Sequence, residues 1–103
     1  MKKIKKPWGY ELVLGEYFGW RIKILHVNDG HRNSKQYHTQ KNEVMFFEDG
    51  TIEPIPAKMI HRLTGEVDVL EVSRGSDDDI VRLEDDYGRI TLNFNKLVSQ
   101  LAK

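Results

Sequence analysis

The sequence predicts an all-β domain, a small barrel or sandwich followed by one short helix. Three observations carry this reading. Short segments rich in β-branched and aromatic residues recur along the chain, most clearly from Trp20 to Val27 and from Val67 to Val72. Turn-forming clusters separate them, as at Asn28-Asp29-Gly30 and Glu48-Asp49-Gly50. Apolar residues at helical spacing occur only in the tail, at Leu97, Val98 and Leu101, where Asn93 or Asn95 can cap a helix. Many short strands with Gly and Pro turns and a single late helix point to the small all-β architectures.

Each element has its own signal. Tyr10 to Leu14 reads as a strand closed by Gly15, and Trp20 to Val27 alternates with charge before the turn at Asn28. Lys35 to His38 is short and polar. Val44 to Phe47 is a strongly apolar strand ending at the Glu48-Asp49-Gly50 turn. Thr51 to Ile55 follows, and Pro54 and Pro56 make it an edge or irregular strand. His61 to Leu63 and Val67 to Val72 are expected to pair around Thr64-Gly65. The basic start (Lys2, Lys3, Lys5, Lys6) and the acidic stretch (Asp77, Asp78, Asp79, Glu84, Asp85, Asp86) read as solvated surface. The alternative is that the two meet.

A chain of 103 residues is expected to form one domain, residues 1–103, with a modest core. The absence of cysteine excludes disulfides, thiolate metal sites and a cysteine nucleophile. Sixteen basic and sixteen acidic residues cancel, so no net field favours nucleic acid or anionic lipid, and neither is an expected partner. No apolar run approaches the ~20 residues of a membrane span, and the basic start lacks the apolar stretch of a secretion signal. The cytoplasm is the expected compartment.

The four histidines are His26, His31, His38 and His61. In a strand, Gln36 and His38 aim to one face, and Glu43 lies far enough on for a turn to bring its carboxylate back. His61 sits in a second short strand. Oxygen and nitrogen donors of this kind can hold a divalent ion with open positions, and they discriminate poorly among Zn, Fe, Mn, Co and Ni. On spacing alone, surface or hydrogen-bonded histidines are the better account.

Four segments resemble the cupin domain of type II phosphomannose isomerases, the module often fused to mannose-1-phosphate guanylyltransferase. They are Lys6-Pro7-Trp8-Gly9, the run from Gly30 through Gln36-Tyr37-His38 to Glu43, the run Ile55-Pro56-Ala57-Lys58-Met59-Ile60-His61-Arg62-Leu63, and the closing run from Asp78 to Arg89. The resemblance covers most of the chain up to Arg89. It implies a small cupin-type, jelly-roll-like β-barrel holding one divalent metal, zinc first and Mn, Fe, Co or Ni as alternatives. It implies Gln36, His38, Glu43 and His61 as ligands, with Gln40 as a rival and with His26 and His31 at no ligand position. Only 17 residues separate Glu43 from His61, whereas the family has roughly twice as many. Part of one wall is therefore expected to be missing. A second copy covering the gap beside Val44, Met45, Phe46 and Phe47 makes a homodimer the expectation.

The activity implied is interconversion of mannose 6-phosphate and fructose 6-phosphate, a proton transfer between C1 and C2. A metal polarises the sugar oxygens, and a base must reach the carbon-bound proton. Lys35, Lys41, His31 and Glu48 are candidates for that step. Lys41, where relatives carry Arg, suits charge stabilisation better. Arg32, Arg62 and Lys58 lie close to the ligand motifs as candidate phosphate holders, and Ser34 can donate to the phosphate or to a sugar hydroxyl. Trp8, Tyr10 and Trp20 can stack on a sugar ring or pack in the core. A nucleotide-sugar or other cupin enzyme, and a non-catalytic sugar- or metal-binding cupin, are the alternatives.

Overall fold

The computed structural model describes residues 1–91. Eight strands make up the fold: β1 (Lys2–Lys6), β2 (Gly9–Tyr17), β3 (Trp20–Val27), β4 (Lys35–Tyr37), β5 (Asn42–Phe47), β6 (Ile52–Ile55), β7 (Val67–Arg74) and β8 (Val81–Glu84). Six form an antiparallel sheet in the order β1-β2-β3-β7-β5-β6, and β4 pairs with β8 in a second, two-stranded sheet. The all-β expectation holds, and no helix occurs among the described residues. The tail helix expected around Leu97 lies outside them.

The large sheet is built on strict alternation. In β3, Lys23, Leu25 and Val27 are buried while Ile24 and His26 between them are half-buried. In β7 the inward set is Val67, Val69, Glu71 and Ser73, and in β5 it is Glu43, Met45 and Phe47. Register joins these sets into rows, because opposed residues of an antiparallel pair share a face. Leu25, Val69 and Phe47 form one inward row, Lys23, Glu71 and Met45 the next, and Arg21, Ser73 and Glu43 the third. The inner face is thus apolar at one end and charged at the other. The apolar end is the core, where Trp8, Ile55 and Leu63 join Leu25, Val27, Met45 and Val69. Each such side chain contributes about 1.5–3 kcal/mol by leaving water.

Several expectations are corrected. Gly15 does not close β2: a register shift between Val13 and Gly15 marks a bulge, and pairing continues to Tyr17 opposite Trp20. His61 to Leu63 does not pair with β7, which lies between β3 and β5; His61 bridges Gln36 instead. The basic start is strand β1, with Ile4 and Lys6 turned inward. Among the described residues no strand pairing joins the two sheets, in keeping with the missing wall expected from the short link, and the stretch between β6 and β7 contributes isolated bridges and no strand.

Gly9 explains why Trp8 is followed by glycine. A Cβ there would stand 1.9 Å from the carbonyl oxygen of His26. This close approach lets Asn28 N–H reach the Trp8 carbonyl at 2.8 Å and seats the indole in the core.

Candidate metal centre

Two stretches run side by side to build the site. Gln36 and His61 exchange backbone hydrogen bonds at 3.0 and 2.8 Å, and Asn33 N–H donates to the Leu63 carbonyl at 3.1 Å. The buried Asn33 side chain accepts from Leu63 N–H at 2.7 Å, and Lys58 N–H donates to the His38 carbonyl. These bonds fix His61 beside Gln36 although neither stretch belongs to the large sheet. Glu43 arrives from the other side, as the inward residue that opens β5.

His38, Glu43 and His61 converge so that one donor atom from each lies within 4.8 Å of the others. His38 Nε2 stands 2.5 Å and His61 Nε2 3.4 Å from the same oxygen, Glu43 Oε1. The opposite ring nitrogens decide what those atoms offer. His38 Nδ1–H donates to the Asp79 carbonyl at 2.5 Å and His61 Nδ1–H to the Met59 carbonyl at 2.9 Å. Each singly protonated ring therefore turns a lone pair on Nε2 toward the carboxylate. Two lone pairs facing an anion lack a proton or a cation between them. His38 Nε2 and Glu43 Oε1 are also shut off from solvent without a hydrogen-bond partner of good geometry. This donor set, with backbone carbonyls fixing the tautomers, fits a divalent transition metal.

Gln36 is adjacent but turned. Its Oε1 accepts from the buried Ser34 hydroxyl at 2.9 Å, leaving Nε2 at 3.5 Å from His61 Nε2. A half-turn of the amide would keep the Ser34 bond, with the hydroxyl accepting, and present Oε1 to the site. Gln40 is exposed, and its N–H donates to Asp79 Oδ2 at 2.7 Å. His26 lies on the outer face, paired with Asp68 at 2.7 Å, and His31 meets the Tyr87 hydroxyl at 2.7 Å.

The site opens into a cavity of about 430 Å³ between the two sheets. Gln36, His38, Lys41 and Glu43 line it. Lys41 Nζ lies 3.9 Å from Glu43 Oε2 and 3.2 Å from Asp77 Oδ1. Burial works against its charge, but Glu71, Glu43 and Asp77 outweigh that and hold the ammonium above its ordinary value. Glu71 lies in β7, within the stretch Val67 to Val72 that the sequence marks only as a strand. Burial first, then the neighbouring Glu43, pushes its carboxyl well above the usual range. Burial would do the same to Glu43. A proton or cation held between Glu43 and the two imidazoles, together with Glu71 and Lys41, outweighs it and holds the Glu43 carboxyl well below the usual range.

The other predicted site residues are placed elsewhere. Lys35 is exposed opposite Glu84, and Glu48 sits in the β5–β6 turn. Arg32 is tied to Asp86 through two bonds of 2.8 and 2.9 Å, and Arg62 Nε–H donates to the Asn33 carbonyl. Lys58 is exposed. None of these five lines the cavity; Ser34 does. Of the aromatic candidates Trp8 reaches it, whereas Tyr10 stacks on His26 and Trp20 lies at the far end of β3. Parity was the signal that could have revealed Glu71 and Lys23: both fall on the same phase as apolar inward neighbours, Leu25 and Val27 in β3 and Val67 and Val69 in β7.

No protein-family model matches the chain. It is 31% identical over 113 aligned positions to the xanthan biosynthesis protein XanB of Xanthomonas campestris pv. campestris strain B100. Identity to XanB of a second strain of the same pathovar is 32% over 113 positions. Each match takes in 85% of this chain but 24% of the relative, so the chain spans about a quarter of these curated relatives. Both alignments are longer than the 103-residue chain itself, so the relatives carry residues here that this chain lacks.

Proposed function

We propose, starting from this similarity to a xanthan biosynthesis protein, that the chain is a metal-dependent sugar-phosphate isomerase. The reaction proposed is interconversion of mannose 6-phosphate and fructose 6-phosphate. The observation that carries it is the pair of imidazole lone pairs aimed at one buried carboxylate oxygen on the wall of a polar cavity. His38, Glu43 and His61 would hold the ion, with Gln36 as fourth donor after its amide turns. A divalent ion bound there supplies Lewis acidity toward the carbonyl and hydroxyl oxygens of an open-chain sugar.

The chain's own residues supply the rest. Lys41, kept protonated by its carboxylate neighbours, places a fixed positive charge where negative charge builds as a proton leaves carbon. The same charge state suits it poorly to act as the base. Ser34 holds Gln36, and Trp8 gives the cavity an apolar wall. One observation favours a second reading, a non-catalytic sugar- or metal-binding module. The carboxylates of Glu11 and Asp77 on the cavity wall are each engaged by cations, and burial pushes the Glu71 carboxyl well above the usual range.

The test is production of fructose 6-phosphate from mannose 6-phosphate, with exchange of the C2 proton, on protein supplied in turn with Zn, Mn, Co, Ni and Fe. His38→Ala or His61→Ala should lose both metal and turnover, and His26→Ala should lose neither. No turnover with any metal, on folded metal-loaded protein, would leave only the binding module.

A further inference from the structure

The cavity has a second pole, formed by β8 and the turn after it. Arg82 is the register partner of Gln36 across the β4–β8 pair, so the two side chains share a face, and both line the cavity. Its backbone is locked to Thr91: Arg82 N–H donates to Thr91 Oγ1 at 2.9 Å, and Thr91 N–H donates to the Arg82 carbonyl at 3.1 Å. This closure folds residues 85–89 back and brings Arg89 to the same cavity wall.

The two arginines are satisfied very differently. Arg89 is clamped by Asp85, whose carboxylate accepts from its Nε–H and Nη2–H at 2.8 and 3.1 Å. Arg82 has no carboxylate partner among the described residues, and its Nε–H is closed off from solvent with no acceptor. A buried guanidinium donor without an acceptor is costly and is retained where something else accepts from it. The pairing of the other cavity cations sharpens this. Lys6, Lys23 and Lys41 each have a carboxylate within 4.0 Å. Arg89 adds repulsion: burial, then its positive charge, pulls Arg82 below its ordinary value. An anion entering beside Arg82 would relieve both costs at once.

We propose that Arg82, with Arg89 beside it, is the oxyanion-binding pole of the cavity and takes the phosphate of a sugar phosphate. The planar fork of Arg82 matches a phosphate bidentately, and Arg89, held by Asp85, adds charge without having to move. This rests on the isomerase reading only for the identity of the sugar; the anion site stands on the unpaired guanidinium. It differs from the expectation drawn from the motifs, because Arg32 and Arg62 do not line the cavity and are tied to Asp86 and to the Asn33 carbonyl.

The test titrates metal-loaded wild-type protein with inorganic phosphate, mannose 6-phosphate and mannose, by calorimetry and by thermal shift. Both phosphates should bind and mannose should bind far more weakly. Arg82→Gln should weaken phosphate binding at least tenfold with metal content unchanged, Arg82→Lys should restore part of it, and Arg32→Ala and Arg62→Ala should bind as wild type. Absence of phosphate binding by wild-type protein at tens of millimolar overturns the proposal whether or not the variants fold. So does an Arg82→Gln protein that binds phosphate as tightly as wild type. Phosphate binding lost in Arg82→Gln while no hexose phosphate is ever isomerised upholds the anion site and sinks the isomerase reading. Normal KM for mannose 6-phosphate in Arg82→Gln does the reverse.

Discussion

Asp79 contacts no donor atom of the proposed metal site, yet its removal should weaken metal binding. Its carboxylate accepts from Thr39 N–H at 2.9 Å, Thr39 Oγ1–H at 2.7 Å, Gln40 N–H at 2.7 Å and Lys41 N–H at 2.9 Å. One side chain thus ties down the whole loop between His38 and Glu43, while its own carbonyl fixes the His38 tautomer. Asp79→Ala keeps the carbonyl and deletes all four loop bonds. Groups that orient metal ligands in this way are worth about 10–100-fold in metal affinity, and with four bonds lost the upper half of that range is expected. The assay is competition for zinc against a chromophoric chelator, near neutral pH. Stoichiometry at saturation should stay at wild-type level while affinity falls. The same bonds hold the Asp79 carboxyl well below its ordinary range, so it stays ionised and keeps all four bonds at the pH of the assay. Affinity within twofold of wild type would refute the claim that this loop positions His38.

Other outcomes follow from the same geometry. Gly9→Ala should destabilise the fold by about 3 kcal/mol in urea unfolding, because its Cβ would overlap the His26 carbonyl; an unchanged midpoint would show that β2 and β3 can separate there. Asp77 is held below its ordinary value: burial opposes this, but Lys23 and Lys41 outweigh it. Its contribution is therefore complete above the unfolded value of about 3.9 and is lost as pH falls through the lower folded value. Melting temperature between pH 6 and 2 should drop less steeply in Asp77→Asn than in wild type, and equal slopes would refute it. The outer face of the large sheet carries Ile22, Val72 and Val44 in one row and Ile24, Leu70 and Phe46 in the next. A homodimer formed on that face should sediment as such in wild type and dissociate in Leu70→Glu, and a monomeric wild type at high micromolar concentration would end the idea.

Strand β3 was legible to the residue, because its alternation and the Asn28-Asp29-Gly30 turn act together. The convergence of His38, Glu43 and His61 was legible only through the resemblance to a known family, because spacing alone favours surface histidines and His61 arrives through its distant bridge to Gln36. What escaped was set by distant partners. β1 reads as a run of lysines, and only pairing with β2 makes it a strand. β8 is a strand because β4 lies beside it, in a stretch whose composition reads as acidic surface. Glu71 hid among valines because burying a carboxyl there depends on Glu43, Lys41 and Lys23 from two other strands and a loop. Arg82 was passed over as a cavity residue for a similar reason: its neighbours arrive through register and through the turn that brings back Arg89.

The stretch 56–66 belongs to no strand and is tacked to the loop before β4 and to β4 itself by single bridges at Arg32–Thr64 and Gln36–His61. An ion shared by His61 and Glu43 would rivet that strip to the rigid sheet, at a point where the backbone offers only a few stitches. Chelation should then act as a local release: amide protons of residues 57–64 should exchange faster, while those of β3 and β7 keep their protection. The binding of the ion and the closing of one wall of the cavity would be a single event, so the domain would present a finished cavity only when loaded.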